Sequence, residues 1–430
     1  MTRFSKALVQ DSRLVLAAGL VAATMAACGG SPATPTLSAA GVARQRPAAD
    51  APIGTVAEAI TGLGYRLATS ASPAGQNSVV SPLSIAAAFA MARAGASGET
   101  ASQLDRAFGF PPTGLHDAFN AISQQVVTAD TPPAKPPKPN QDGIPQPPVV
   151  CLGSGLFPQH GQPIGEGFLR TLAAQYGTGV HPVDFAGGNA TEPINQWVNQ
   201  QTAGRIDKLF DSLPRDTKLV LANTVYLRAD WAHAMFAAEP VSTQPFTRAD
   251  GTVVQVPTIH GQDQLRYATG TGWQAVELPY AGGQFAMRIL LPAPGQTPGS
   301  LLAPATMSAV TASLRTEDVA VTLPSWDFAT DLDLVPALKA LGLTLPFMPA
   351  ADFTAISPGL YLDQAVHRAN ITVDEWGTEA AAVTGLVFAT SAKPLPKLQV
   401  KADRPFAFAI VHTPTGVPLF MGQVADPSAH

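Results

Sequence analysis

Residues 374–394, DEWGTEAAAVTGLVFATSAKP, constrain the fold of this chain more than any other stretch. An acidic turn opens the run, and from Thr378 to Ala392 it carries one charge, Glu379. Ala380, Ala381 and Ala382 favour helix, whereas Val383, Thr384, Val387 and Phe388 favour strand. No proline lies between Thr378 and Lys393, so a strand here would lack no ladder donor. Alternate side chains of a strand face one way. Thr378, Ala380, Ala382, Thr384, Leu386 and Phe388 form one face, and Glu379, Ala381, Val383, Gly385, Val387 and Ala389 the other. The single charge falls on the second of these faces. Helix formers followed by strand formers suit a segment that lives in more than one state.

The rest of the chain has ample apolar material for a core, with 46% of its 430 residues hydrophobic and 13% charged. A net charge of −5 gives no reason to expect nucleic-acid binding. Arg3, Lys6 and Arg13 precede an apolar run, Leu14 to Ala23, and small residues then lead to Met25-Ala26-Ala27-Cys28. This reads as a signal peptide over residues 1–27. The cysteine after the small residues resembles the bacterial lipoprotein box, with Met25 where leucine is usual, and implies lipidation of Cys28. Gly29 follows, with no Asp to mark inner-membrane retention. The expectation is an exported, membrane-anchored lipoprotein, facing the periplasm or the cell surface, or extracellular if released. Residues 28–52, rich in Ser, Pro, Ala and Gly, read as its flexible linker. With Cys28 lipidated, Cys151 has no disulfide partner, and Val150 and Leu152 beside it suggest a buried strand.

Apolar spacing predicts helices over Thr55–Leu67, Pro82–Ala94 and Leu115–Val126. Thr131–Pro148 holds too many prolines for helix or central strand and reads as an extended surface loop. Lys218–Trp231 reads as a buried strand. Trp273–Tyr280 and Phe285–Pro292 pair as a hairpin around Ala281-Gly282-Gly283, and FAFAIVH and PLFMGQV do so near the C-terminus. The pattern is mixed α+β with antiparallel pairings.

No HExxH, GxSxG, P-loop or CxxC motif is present, and the eight histidines lack metal-ligand spacing. The Gly-Ser-Gly within Cys151–Phe157 lacks the spacing of a nucleophile elbow, and Ser391 with Lys393 does not make Ser-x-x-Lys. Neither an enzyme nor a cofactor or metal is implied.

Five blocks resemble the serpins, and they occur in that family's order. They are Asn77–Leu104, Ile194–Phe210, Leu219–Trp231, Ala365–Thr384 and Ala402–Pro427. The resemblance spans roughly residues 53–428 and implies one serpin domain, 53–430. The implied fold is α+β, with three β-sheets, eight or nine α-helices and an exposed reactive-centre loop within residues 375–400. It also implies a suicide-substrate inhibitor. The target's serine attacks the loop, an acyl-enzyme forms, and the freed loop inserts as a strand in the largest sheet, an established case of strand addition and released strain.

Carried over residue by residue, the hinge is Glu375, Gly377, Thr378, Glu379, Ala380, Ala381 and Ala382. Asn77, Ser81, Ser84, Asn223 and His367 match the polar cluster where the sheet opens, and Trp231 matches the tryptophan at the point of first insertion. Family spacing counted from Glu375 puts the reactive bond at Ser391–Ala392. Counting back from Arg404-Pro405 gives a longer loop and leaves Thr390 and Lys393 as alternatives. Lys393 is followed by Pro394, a poor leaving side for a serine protease, and the small residues favour an elastase-like or subtilisin-like target. Trp376 and Gly153-Ser154 depart from the family pattern. The helix Leu115–Val126 has no Lys or Arg, so no heparin site is expected, and the chain is expected to be a monomer. The competing reading is a non-inhibitory carrier or binding protein on the same fold.

Overall fold

The structure is a computed structural model that describes residues 36–71, 75–133, 144–233, 235–236, 240–379 and 398–429. All belong to the unit Thr34–His430. In chain order the first elements are α1 (Ile53–Ala71), β1 (Ser78–Val80), α2 (Pro82–Ala94), α3 (Gly98–Phe108), α4 (Leu115–Val126), β2 (Val149–Pro158), α5 (Glu166–Thr171), α6 (Thr191–Gln201) and β3 (Leu219–Asp230). There follow β4 (Ser242–Thr247), β5 (Val253–Gly270), β6 (Trp273–Pro279), β7 (Phe285–Pro292), α7 (Pro304–Ser313), β8 (Arg315–Pro324), β9 (Trp326–Asp333) and α8 (Leu334–Ala340). The chain ends with β10 (Gln364–Val373), β11 (Gly377–Thr378), β12 (Leu398–Lys401), β13 (Phe406–His412) and β14 (Val417–Val424).

Among the described residues, one sheet has five strands in the order β2-β3-β11-β10-β9, and the other has nine. Where three sheets were expected, hydrogen bonding joins the second and third through β5. That 18-residue strand pairs with β4 at one end, with β6 at the other and with β8 between. The two hairpins read from the sequence are present, as β6–β7 and β13–β14.

The alternation of β3 decides where the cores sit. Leu219, Leu221, Val225, Leu227 and Ala229 face the main core, and Val220 and Ala222 face a second, smaller core. The smaller core lies under α6, with Trp197, Val198 and Ile194. Helix α2 is buried nearly all round, which is why its pattern is apolar on every face rather than amphipathic. Ser81 caps it, accepting from the Ser84 N–H, and Pro82 occupies its first turn, where no donor is missed. Helices α2 and α4 have the bounds read from the sequence, whereas α3, α7 and α8 went unread.

Residues 36–52 correct the expectation of a flexible linker. The Leu37 and Val180 backbones bond each other in both directions, at 2.7 and 2.9 Å. Arg44 donates to Asn120 Oδ1 at 3.0 Å, and the Gln45 carbonyl accepts from Asn120 and Gln124 of α4. Composition suggested a tether, but backbone bonds and the side chains of Arg44, Asn120 and Gln124 hold this strap in place. Residues 28–35 lie outside the described residues, as do 134–143 of the proline-rich loop. Beyond that gap, the Gln146 N–H donates to Asp230 Oδ2 at 2.8 Å. Cys151 is buried in β2, and burial pushes its thiol up to about 11, so it is unreactive. Among the described residues, no helix is long and apolar enough to cross a membrane.

Candidate functional site: a parted sheet and its hinge

Strands β3 and β10 run parallel and pair over only four residues each, Val220–Asn223 with Gln364–His367. Above that point they part. Among the described residues, Thr224–Arg228 pair only with β2, and Arg368–Thr372 only with β9. The gap is closed at its top by β11. Gly377 and Thr378 pair with Asp230 and Ala229, and Thr378 also pairs with Val373. Beneath lies a cavity of about 20 Å³ bordered by Val225, Leu227, Asn370, Thr372 and Phe420. Thr224 Oγ1 and the Tyr226 hydroxyl are buried with no hydrogen-bond partner among the described residues. Unpaired polar groups of this kind are costly.

At the lower end of the slot, four of the five predicted cluster residues converge. His367 Nε2 accepts from the Ser81 N–H at 3.0 Å, which leaves the proton on Nδ1 to donate to Asn223 Oδ1 at 2.8 Å. Ser84 Oγ donates to the same oxygen at 3.2 Å. His367 is fully buried, and burial pushes its imidazole down to about 3, so it is neutral. These bonds tie α2 to β3 and β10 where those strands meet. Asn77 is the correction. Its Oδ1 accepts from the Ala425 and Asp426 N–H groups at 2.8 and 2.9 Å, and its Nδ2 donates to the Asp426 carbonyl. It pins the C-terminal segment and is no part of the sheet-opening cluster.

At the upper end, β10 turns into β11 through Asp374–Gly377. The Asp374 carboxylate accepts from the N–H groups of Trp376 and Gly377, at 2.8 and 3.1 Å. Burial, the largest cause, pushes this carboxyl up to about 7. The Trp231 indole donates to the Asp374 carbonyl at 3.0 Å, and its ring stacks on Tyr280 with centroids 4.8 Å apart. The Tyr280 hydroxyl in turn shares a hydrogen bond with the Thr378 hydroxyl. Only glycine fits at 377, because a Cβ there would lie 2.1 Å from the Ala229 carbonyl oxygen.

Glu379 then leaves the sheet. Its φ is +57°, in the left-handed region that costs a non-glycine residue about 1–3 kcal/mol. Its N–H still donates to the Thr372 carbonyl at 2.9 Å. Its carboxylate accepts from Arg205 Nε at 2.7 Å. It is 8% exposed, and burial outweighs the Arg205 contact, pushing the carboxyl up to about 7. Arg205 follows α6, so this carboxylate is buried on the α6 side, in a residue that lies beyond β11 rather than in a strand.

A family model described as Serpin (serine protease inhibitor) matches residues 58–427. This chain belongs to the serpin family. An uncharacterised serpin-like protein of Thermococcus kodakarensis is 34% identical over 367 residues, covering 82% of each chain. Human neuroserpin is 31% identical over 373 residues, covering 82% of this chain and 86% of its own. The crystal structure of the thermophilic serpin tengpin in its native state superposes with a TM-score of 0.76 at 23% identity, covering 89% of this chain and 96% of that one.

Of the residues expected to form the hinge, the structure describes Glu375, Gly377, Thr378 and Glu379, and two of them, Gly377 and Thr378, pair between β3 and β10. Ala380, Ala381 and Ala382, the candidate bond residues Thr390, Ser391, Ala392 and Lys393, and Cys28 lie outside the described residues. Sequence reasoning missed Arg205, Tyr280 and Asp374. Arg205 stands within the matched block Ile194–Phe210, yet its partner is 174 positions away, and no spacing rule reaches that far. Gly153, the departure from the family pattern, has a local reason: a Cβ there would lie 2.4 Å from Thr224 Oγ1.

Proposed function

We propose that this serpin inhibits a serine protease as a suicide substrate. The gap between β3 and β10, unbridged among the described residues and with Thr378 at its mouth, carries the reading. If the register Thr378–Ala229 and Thr378–Val373 continues, Glu379–Val383 lie between Thr224–Arg228 and Arg368–Thr372, whose facing edges carry no ladder among the described residues. Ala380 and Ala382 then face the main core, and Thr384 reaches the Asn223–His367 pair. Small residues on that face suit the room available. Each ladder bond adds about 0.5–1.5 kcal/mol net, enough in sum to make insertion strongly favourable.

In this mechanism the protease serine attacks the Ser391 carbonyl carbon. The Ser391–Ala392 bond breaks, Ala392 leaves as the amine with the serine's proton, and Ser391 remains as an ester on the enzyme. The freed strand enters the slot and draws the enzyme after it before water can hydrolyse the ester. The target is an elastase-like or subtilisin-like enzyme, supported by the small residues around Ser391. The chain acts outside the cytoplasm, held to a membrane by lipid on Cys28, a reading supported by the sequence from Arg3 to Cys28.

The test is incubation with elastase-like, trypsin-like and subtilisin-like proteases, followed by a denaturing gel and mass spectrometry. A covalent band, with the cut between Ala389 and Lys393, is expected. Clean cleavage with no band and no gain in thermal stability would leave the carrier reading in its place.

A further inference from the structure

The slot explains where a strand would go, but not what stops the uncleaved chain from filling it. Among the described residues, five of β3 face five of β10 with no ladder between them, so the first five steps beyond Thr378 break no β3–β10 pair. The obstacle lies at the next residue. Glu379 has a left-handed backbone, whereas a strand there needs an extended one. Its side chain is buried against Arg205, which is 36% exposed. We propose that Arg205 is a positioning residue: by keeping an ionised Glu379 seated at the mouth of the slot, it keeps the hinge from slipping out of its two-residue seat between β3 and β10. This rests on the inhibitory reading only for its consequence, because the catch itself can be measured with no protease present.

The charges around Glu379 define how the catch responds to pH. Arg205 faces it from the segment after α6, and Tyr226 and Arg228 face it from β3. On the β10 side, Asn370 and Thr372 border the same cavity and carry no charge. Asp374, at the turn above, faces Glu375 and Asp230. Burial raises both Glu379 and Asp374 above their ordinary range. The seated hinge therefore prefers them protonated, and its hold is full at low pH and weakens as pH rises through about 7. Arg205 is what keeps the hinge seated once Glu379 is ionised.

The experiment is hydrogen–deuterium exchange of the uncleaved full chain over residues 374–379, corrected for intrinsic rates, at pH 6 and pH 8. With Arg205→Ala, exchange at pH 8 should rise at least tenfold and at pH 6 barely change. Arg205→Lys should restore part of the protection. Glu379→Gln should remove Glu379's share of the pH dependence, leaving that of Asp374. Equal exchange in wild type and Arg205→Ala at pH 8 would overturn the proposal, as would an Arg205→Ala effect of the same size at both pH values, which marks a merely structural role. A chain that traps no protease yet shows this pattern keeps the catch and loses only the inhibitory reading.

Discussion

Replacing His367 with phenylalanine tests the lower end of the slot, and the structure fixes both the size and the pH dependence of the effect. At pH 7.5 the variant loses two hydrogen bonds. The Ser81 N–H is left buried without its acceptor, at about 1–3 kcal/mol, while Asn223 Oδ1 keeps its bond from Ser84. A destabilisation of about 2 kcal/mol is expected. The wild-type imidazole is held down at about 3, below its unfolded value of about 6.5, so folding favours the neutral ring. Its contribution is complete above pH 6.5 and is lost as pH falls toward 3. Each pH unit in that window costs the wild type about 1.4 kcal/mol, or roughly 3 kcal/mol by pH 4.5, and the variant is spared that loss. His116 and His412, both lowered to about 4, titrate in both proteins and cancel in the difference. Urea unfolding of the uncleaved chain, followed by tryptophan fluorescence at pH 7.5 and 4.5, should show the gap close to zero or reverse. A gap that stays near its neutral value at pH 4.5 would refute the account of a buried, uncharged His367.

Gly377→Ala forces a Cβ against the Ala229 carbonyl oxygen. It should expel the hinge from between β3 and β10, lower the thermal midpoint by an amount equivalent to about 1–3 kcal/mol, and expose Glu375–Thr378 to limited proteolysis. Gly153→Ala brings a Cβ to 2.4 Å from Thr224 Oγ1, and a similar loss of stability is expected by calorimetry. Tyr280→Phe leaves the buried Thr378 hydroxyl without its partner, at about 1–3 kcal/mol; it should speed exchange of the hinge amides, and unchanged protection would discount the contact. Cys28→Ser should move the exported chain from the detergent phase to the aqueous phase in a detergent-partition assay, and retention in the detergent phase would refute a lipid on that residue.

Much of this was legible in the sequence because the features are local or contiguous. The alternation of Leu219–Asp230, the proline at the first turn of α2 and the glycine-rich turn between β6 and β7 each announce themselves within a dozen residues. The cluster residues Ser81, Ser84, Asn223 and His367 were legible through family resemblance, not spacing, and the same route misassigned Asn77, whose partners lie at the C-terminus. What stayed hidden depends on contacts across the fold. Arg205 and Glu379 meet only because the segment after α6 crosses the sheet face at the slot. The strap of residues 36–52 was misread because its composition resembles a tether, and composition says nothing of the carbonyls and amides that α4 and Val180 offer it. Helix α7, PATMSAVTAS, buries only Met307 and Val310, too few apolar residues to show a period.

The four paired residues at the foot of the slot act as the closed teeth of a zip whose slider enters only from above. A strand advancing from Thr378 meets no resistance from pairing until its seventh residue, Thr384, arrives opposite Asn223 and His367, and from there each further step must unfasten one β3–β10 pair before it can fasten its own. Progress is therefore graded by length, and a chain that stalls should rest at one of two depths, at the bend of Glu379 or at the first closed tooth.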